Sequence, residues 1–183
     1  MAAGKTKLSS TVTVARYRAL EENGDRQALA QLIRERFNER YFHPIESTPA
    51  KDKHGFTIMA VCCLVIEGLE SFYQGKADTK GKSKEMFNAF FERDTPIKVF
   101  AGGGDWFYKD IRCGILHQSE ARGGWHILRS GPLLDVPTKR INATTFIREL
   151  RMAVDKYADL IQHDAALWTL FKKKMNAVCD NCF

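Results

Sequence analysis

Residues 56–74, FTIMAVCCLVIEGLESFYQ, limit the possible folds more than any other segment. Apolar side chains come round nearly every face at helical spacing. A helix of that kind has to be enclosed by other elements, so the reading is the central helix of a bundle. Its longest unbroken apolar run, residues 58–66, is nine residues. A membrane-spanning helix needs about 20, so no spanning segment is expected. The opening stretch, MAAGKTKLSSTVTV, has no apolar run of signal-peptide length. The expectation is a soluble, cytoplasmic chain with no membrane partner.

The remaining segments supply helices to surround that centre. Residues 1–10 read as a flexible tail, and residues 13–22 as a first helix ending before Asn23-Gly24. Asp25 is placed to cap a second helix, since its carboxylate can accept the free amides of the first turn. Ala28, Leu29, Leu32, Ile33, Phe37 and Tyr41 form that helix's apolar stripe. Pro44 and Pro49 are expected to bracket a loop. Residues 75–84 read as a Lys/Gly/Ser loop and 83–94 as a short amphipathic helix capped by Ser83. Residues 102–117 read as a Gly-rich loop, a cap at Asp105, and a helix. WHILR (125–129) is the best strand candidate, and with 133–136 it suits a small hairpin. Asn142 or Thr144 starts a long helix to about Gln162, and a last helix covers about 163–178. With 183 residues and no internal repeat, the chain is read as one domain over 11–183. The fold class is mainly all-α, a helical bundle with a small β-hairpin insertion.

Charge and cysteines narrow the chemistry. Lys+Arg is 28 against Asp+Glu 22, giving a net charge of +6. A basic chain suits a polyanionic partner, but a solvated basic surface gives the same number. Five cysteines without a secretory signal argue against a disulfide framework. Cys179 and Cys182 form a lone CxxC, and no second pair completes a tetrahedral set, so no metal site and no cofactor is expected. Gly102-Gly103-Gly104 is followed by Asp105-Trp106 rather than the GK[ST] of a P-loop, and a loop with a cap is the simpler reading. His43, His54, His126 and His163 are not spaced to share a metal.

His117 differs because Arg112 precedes it by five residues on one expected helix. Five residues rotate about 140° on an ideal helix, so the pair does not stack. The two converge if the long arginine reaches round and the helix loosens at His117. A permanent cation beside a group titrating near neutrality suits RNA cleavage. The imidazole moves the proton of the 2′-hydroxyl or the leaving 5′-oxygen, while the guanidinium steadies charge building on phosphorus. An R-x4-H spacing by itself also arises by chance.

The stretch FYKDIRCGILHQSEARGGWHI resembles the HEPN family, marked by R-x4-6-H on a helix of an all-α bundle and, in some branches, by a β-hairpin after it. The motif maps onto Arg112 and His117, the hairpin onto 124–136 and the closing helix onto 144–162, within a resemblance covering about 55–165. It implies a HEPN-like bundle, a symmetric homodimer and a metal-independent endoribonuclease that cuts RNA through 2′-hydroxyl attack at a dimeric cleft. Such proteins serve as toxins, with an antitoxin partner, or as phage-defence effectors. The resemblance also implies an acidic residue orienting the arginine. Glu67 is the candidate, and a helix-end charge reaching solvent is the other reading. Tyr108 and Lys109 are candidates for stacking on RNA and contacting phosphate, Tyr108 being equally suited to the core. The residue after the arginine, commonly polar in catalytic members, is Cys113, a weak hydrogen-bonding group. The alternative is a non-catalytic HEPN module that binds nucleotide or RNA, or that dimerises.

Overall fold

A computed structural model describes residues 3–49 and 51–182 of the chain. The helices are α1 (Val14–Glu22), α2 (Arg26–Phe37), α3 (His43–Glu46), α4 (Gly55–Tyr73), α5 (Ser83–Glu92), α6 (Gly104–Trp106), α7 (Cys113–Gln118), α8 (Ala143–His163) and α9 (Ala165–Asp180). Two π-helical turns, Asn38–Phe42 and Phe107–Arg112, join α2 to α3 and α6 to α7. Three short strands, β1 (His126–Leu128), β2 (Leu134–Asp135) and β3 (Arg140–Asn142), lie before α8. The molecule is mainly α-helical, as expected.

Helix α4 is the centre of the bundle, packed on α5, α8 and α9. Ile58, Met59, Cys62, Cys63, Val65, Ile66 and Leu69 are fully or almost fully buried. By length and composition α4 could cross a membrane, despite its short unbroken apolar run, but most of it is buried inside the fold, as in a core helix. One stripe of α4 is left uncovered. Phe56 is 39% and Leu64 50% exposed, with Ala60 and Val61 half-buried between them. At the other end Glu70, fully buried, accepts from Arg93 through both oxygens at 2.6 and 2.7 Å. That bidentate geometry is what lets a carboxylate sit in the core.

Side-chain caps mark four of the nine α-helix starts among the described residues. Thr13, Asp25, Asn142 and Asp164 each accept a first-turn amide of the helix that follows. Ser83 does not cap α5: it is the first helical residue, and Lys82 before it makes no side-chain cap. Asp105 likewise lies inside the short turn α6, with Gly103 before it. Pro44 sits within α3, which follows the π turn without a break, rather than at a loop edge. The segment expected as a loose tail is held down where the structure describes it. Leu8 is 1% exposed, and its carbonyl accepts from Arg36 and Arg40 at 2.9 and 3.3 Å. Residues 1 and 2 of that segment lie outside the described residues.

The β insertion differs from a hairpin between 125–129 and 133–136. The order is β1-β3-β2, with β3 in the middle. β1 runs parallel to β3, pairing Ile127 with Ile141. β2 is antiparallel to β3, pairing Leu134 with Ile141. The tight turn falls after β2, where the Asp135 carboxylate accepts from the Thr138 amide (3.2 Å) and hydroxyl (2.6 Å). Fully buried Ile141 anchors the sheet to the bundle.

Candidate functional site

Helix α4 carries Glu67 on its uncovered stripe, one turn beyond Leu64. The segment that faces it is fixed by aromatic packing. Phe107 sits 5.0 Å from Phe91 and 5.6 Å from Phe146, centroid to centroid. After Phe107 the chain takes a π turn, in which the Cys113 amide donates five residues back to the Tyr108 carbonyl. Such turns are rare insertions in helices and recur at functional sites. Arg112 is the last residue of that turn and His117 lies in the last turn of α7.

The structure brings the three residues together. Arg112 Nε donates to Glu67 Oε1 at 2.9 Å. Arg112 Nη1 lies 3.2 Å from His117 Nε2. The Arg112 and Glu67 side chains are 18% and 14% exposed, whereas His117 faces solvent. Glu67 therefore does not reach out into solvent. Burial pulls the Arg112 guanidinium down, but the Glu67 hydrogen bond and charge, with Cys113, more than offset it and hold it above its ordinary value. A guanidinium can only donate, so His117 Nε2 accepts, and the proton of the neutral ring sits on Nδ1.

The loosening of the helix lies upstream of Arg112, not at His117. Residues 113–118 are regular α-helix, which ends at Ser119 in the left-handed region (φ 59°). Arg112 and His117 meet because the arginine reaches round the helix. Tyr108 is half-buried, its ring 6.1 Å from Phe87 and 5.6 Å from the Arg112 guanidinium carbon. A hydrogen bond with Cys113, followed by burial, raises the Tyr108 phenol above its usual range. Lys109 is exposed one residue on. Cys63 is buried beneath the site, and that burial pushes its thiol up.

Gly114 is a site residue that the sequence reading passed over. The chain leaving α7 folds back across it, and a Cβ there would collide with the Glu120 carbonyl oxygen. A glycine in the middle of R-C-G-I-L-H was the available signal, since helix interiors disfavour it. Trp125 pins the returning chain by stacking on Trp106 at 4.0 Å and 9°. Elsewhere, Gly103 and Gly104 press against Trp106 and Asn88. Among the described residues no three His, Cys, Asp or Glu side chains converge to hold a metal. No protein-family model matches the chain, and no curated protein or solved structure does either.

Proposed function

We propose that the chain is a HEPN-type endoribonuclease, acting in the cytoplasm as a toxin or phage-defence effector. The observation that carries this reading is the linked set Glu67–Arg112–His117, half-buried at one end and open at the other. In the proposed reaction the 2′-oxygen attacks the adjacent phosphorus and the 5′-oxygen leaves. The products are a 2′,3′-cyclic phosphate and a 5′-hydroxyl, and His117 carries the proton between the two oxygens. Arg112 moves from His117 to the phosphate as charge grows there, freeing Nε2 as the base. Glu67 positions Arg112 throughout.

A homodimer is part of this reading. Leu64 lies one turn from Glu67, and Leu116, 37% exposed, one turn from Arg112. With Phe56 they give an apolar border to the charged site, suited to a second copy of the same face. The competing reading, a non-catalytic module that binds RNA or nucleotide, is favoured by Cys113. Its thiol stands where catalytic members commonly carry a polar group and is a weak hydrogen-bonding partner for the reacting phosphate. Arg112→Ala and His117→Ala separate the two. In the nuclease each abolishes cleavage, with the circular-dichroism spectrum and the dimer intact. Cleavage that survives His117→Ala removes the mechanism. A module without turnover shows only weaker RNA binding in Arg112→Ala.

A further inference from the structure

The chain that folds back over α7 brings a second arginine to the motif helix. The Arg122 amide donates to the Asp110 carbonyl at 2.8 Å, and the Glu120 amide to the Gly114 carbonyl at 3.3 Å. These bonds lay the Arg122 stem on the bare backbone of Gly114. A Cβ built at Gly114 would stand 3.1 Å from Arg122 Cγ and 3.4 Å from Cδ. The stem occupies the space that a side chain at position 114 would fill.

The guanidinium beyond that stem is exposed, and among the described residues it makes no hydrogen bond or ion pair. Of the other arginines in this region, Arg112 has Glu67 and Arg129 bonds the Asp52 carbonyl at 2.8 Å, while Arg140 on β3 is exposed and, among the described residues, also makes no side-chain hydrogen bond or ion pair. Lys139 lies beside Arg122, donating to the Gly123 carbonyl at 2.7 Å. The nearby acids are Asp110, whose carboxylate lies under Gly123, and Glu120, which is exposed. Neither forms a salt bridge with Arg122. On an α-helix Gly114 is about 60° round from His117 and about 160° from Arg112. His117 therefore lies round the helix between Arg112 and the Gly114 backbone on which the Arg122 stem rests.

We propose that Arg122 is a second phosphate-holding residue of the site, gripping the phosphate next to the scissile one, with Lys139 extending the track. This rests on the RNA reading above and specifies how the strand lies across His117. A packed stem with a free cationic head suits an extended polyanion, because little side-chain freedom is lost when phosphate arrives. The test uses a fluorescent single-stranded 2′-O-methyl oligoribonucleotide, which binds without being cut, titrated by anisotropy at several salt concentrations. Arg122→Met keeps the stem over Gly114 and removes the charge, while Arg122→Lys keeps a charge. The slope of log affinity against log salt should fall by about 0.7 in Arg122→Met, or about fourfold in affinity at about 0.15 M salt, and stay unchanged in Arg122→Lys. If the unaltered protein binds and Arg122→Met keeps its full slope, the assignment of Arg122 fails while the RNA reading stands. If the unaltered protein shows no salt-dependent binding, the RNA reading fails and takes this assignment with it.

Discussion

Arg112 is held from three sides. Glu67 takes Nε, His117 takes Nη1, and the Tyr108 ring lies 5.6 Å from the guanidinium carbon. Glu67→Ala takes the charged acceptor from a guanidinium that is only 18% exposed. Such a loss costs about 1.5–3 kcal/mol. It should be read as a lower urea midpoint, with Glu67→Gln, which keeps an acceptor, falling between. A change below about 0.5 kcal/mol would put the pair with exposed ion pairs of little worth. Arg112 and His117 were legible in the sequence because both lie on one helix. Glu67 is 45 residues from Arg112, so only the family resemblance singled it out, with a helix-end charge reaching solvent as the other reading. Its neighbour Glu70 turned inward to Arg93, a distinction that only packing decides.

At the scale of elements, local chemistry was readable in part, since the caps expected at Ser83 and Asp105 do not form, and pairing was not readable. Asp25 caps α2 and Asn142 caps α8 because capping needs only residues three apart. Strand β3 was missed. Its three residues, Arg-Ile-Asn, sit between a turn and a helix start, too short for an alternation to show. The π turn at Phe107–Arg112 leaves no compositional mark either. Asn142 joins the sheet to the helix, since its Oδ1 accepts from Thr145 N at 3.1 Å and its Nδ2 donates to the Gly131 carbonyl at 2.7 Å. Asn142→Ala should therefore cost about 0.5–2 kcal/mol for the cap alone, with a further loss from the freed Gly131 carbonyl, measured by thermal unfolding. A melting temperature equal to that of the unaltered protein would mean that the cap and the Gly131 bond do not stabilise the fold.

The whole molecule wraps several ionisable groups in its core, and this gives stability a pH dependence. Burial raises the thiols of Cys62, Cys63 and Cys179 above their ordinary value of 9.0. It raises the phenols of Tyr17 and Tyr157 above 10.0 and that of Tyr73 to about 12. In the unfolded chain these groups lose their protons first, so above about pH 9 the folded state binds more protons and stability falls as pH rises. Burial pulls Lys174 down and Arg36 down to about 10, which works in the opposite sense but on fewer groups. The urea midpoint should be level near pH 8 and drop progressively towards pH 10. A midpoint that rises over that range would contradict the burial of these thiols. The central place of α4 was plain from its composition. Its uncovered stripe was not, because an apolar residue carries no mark of whether this chain or a second copy covers it.

The most direct measurement is to incubate purified protein with end-labelled tRNA and mRNA in EDTA, beside His117→Ala, and to analyse the cut ends. The account predicts fragments ending in a 2′,3′-cyclic phosphate with the unaltered protein and none with the variant. Absence of cleavage by either protein across the panel would contradict a nuclease, leaving Glu67, Arg112 and His117 as a binding site with Cys113 in the place of a catalytic polar group.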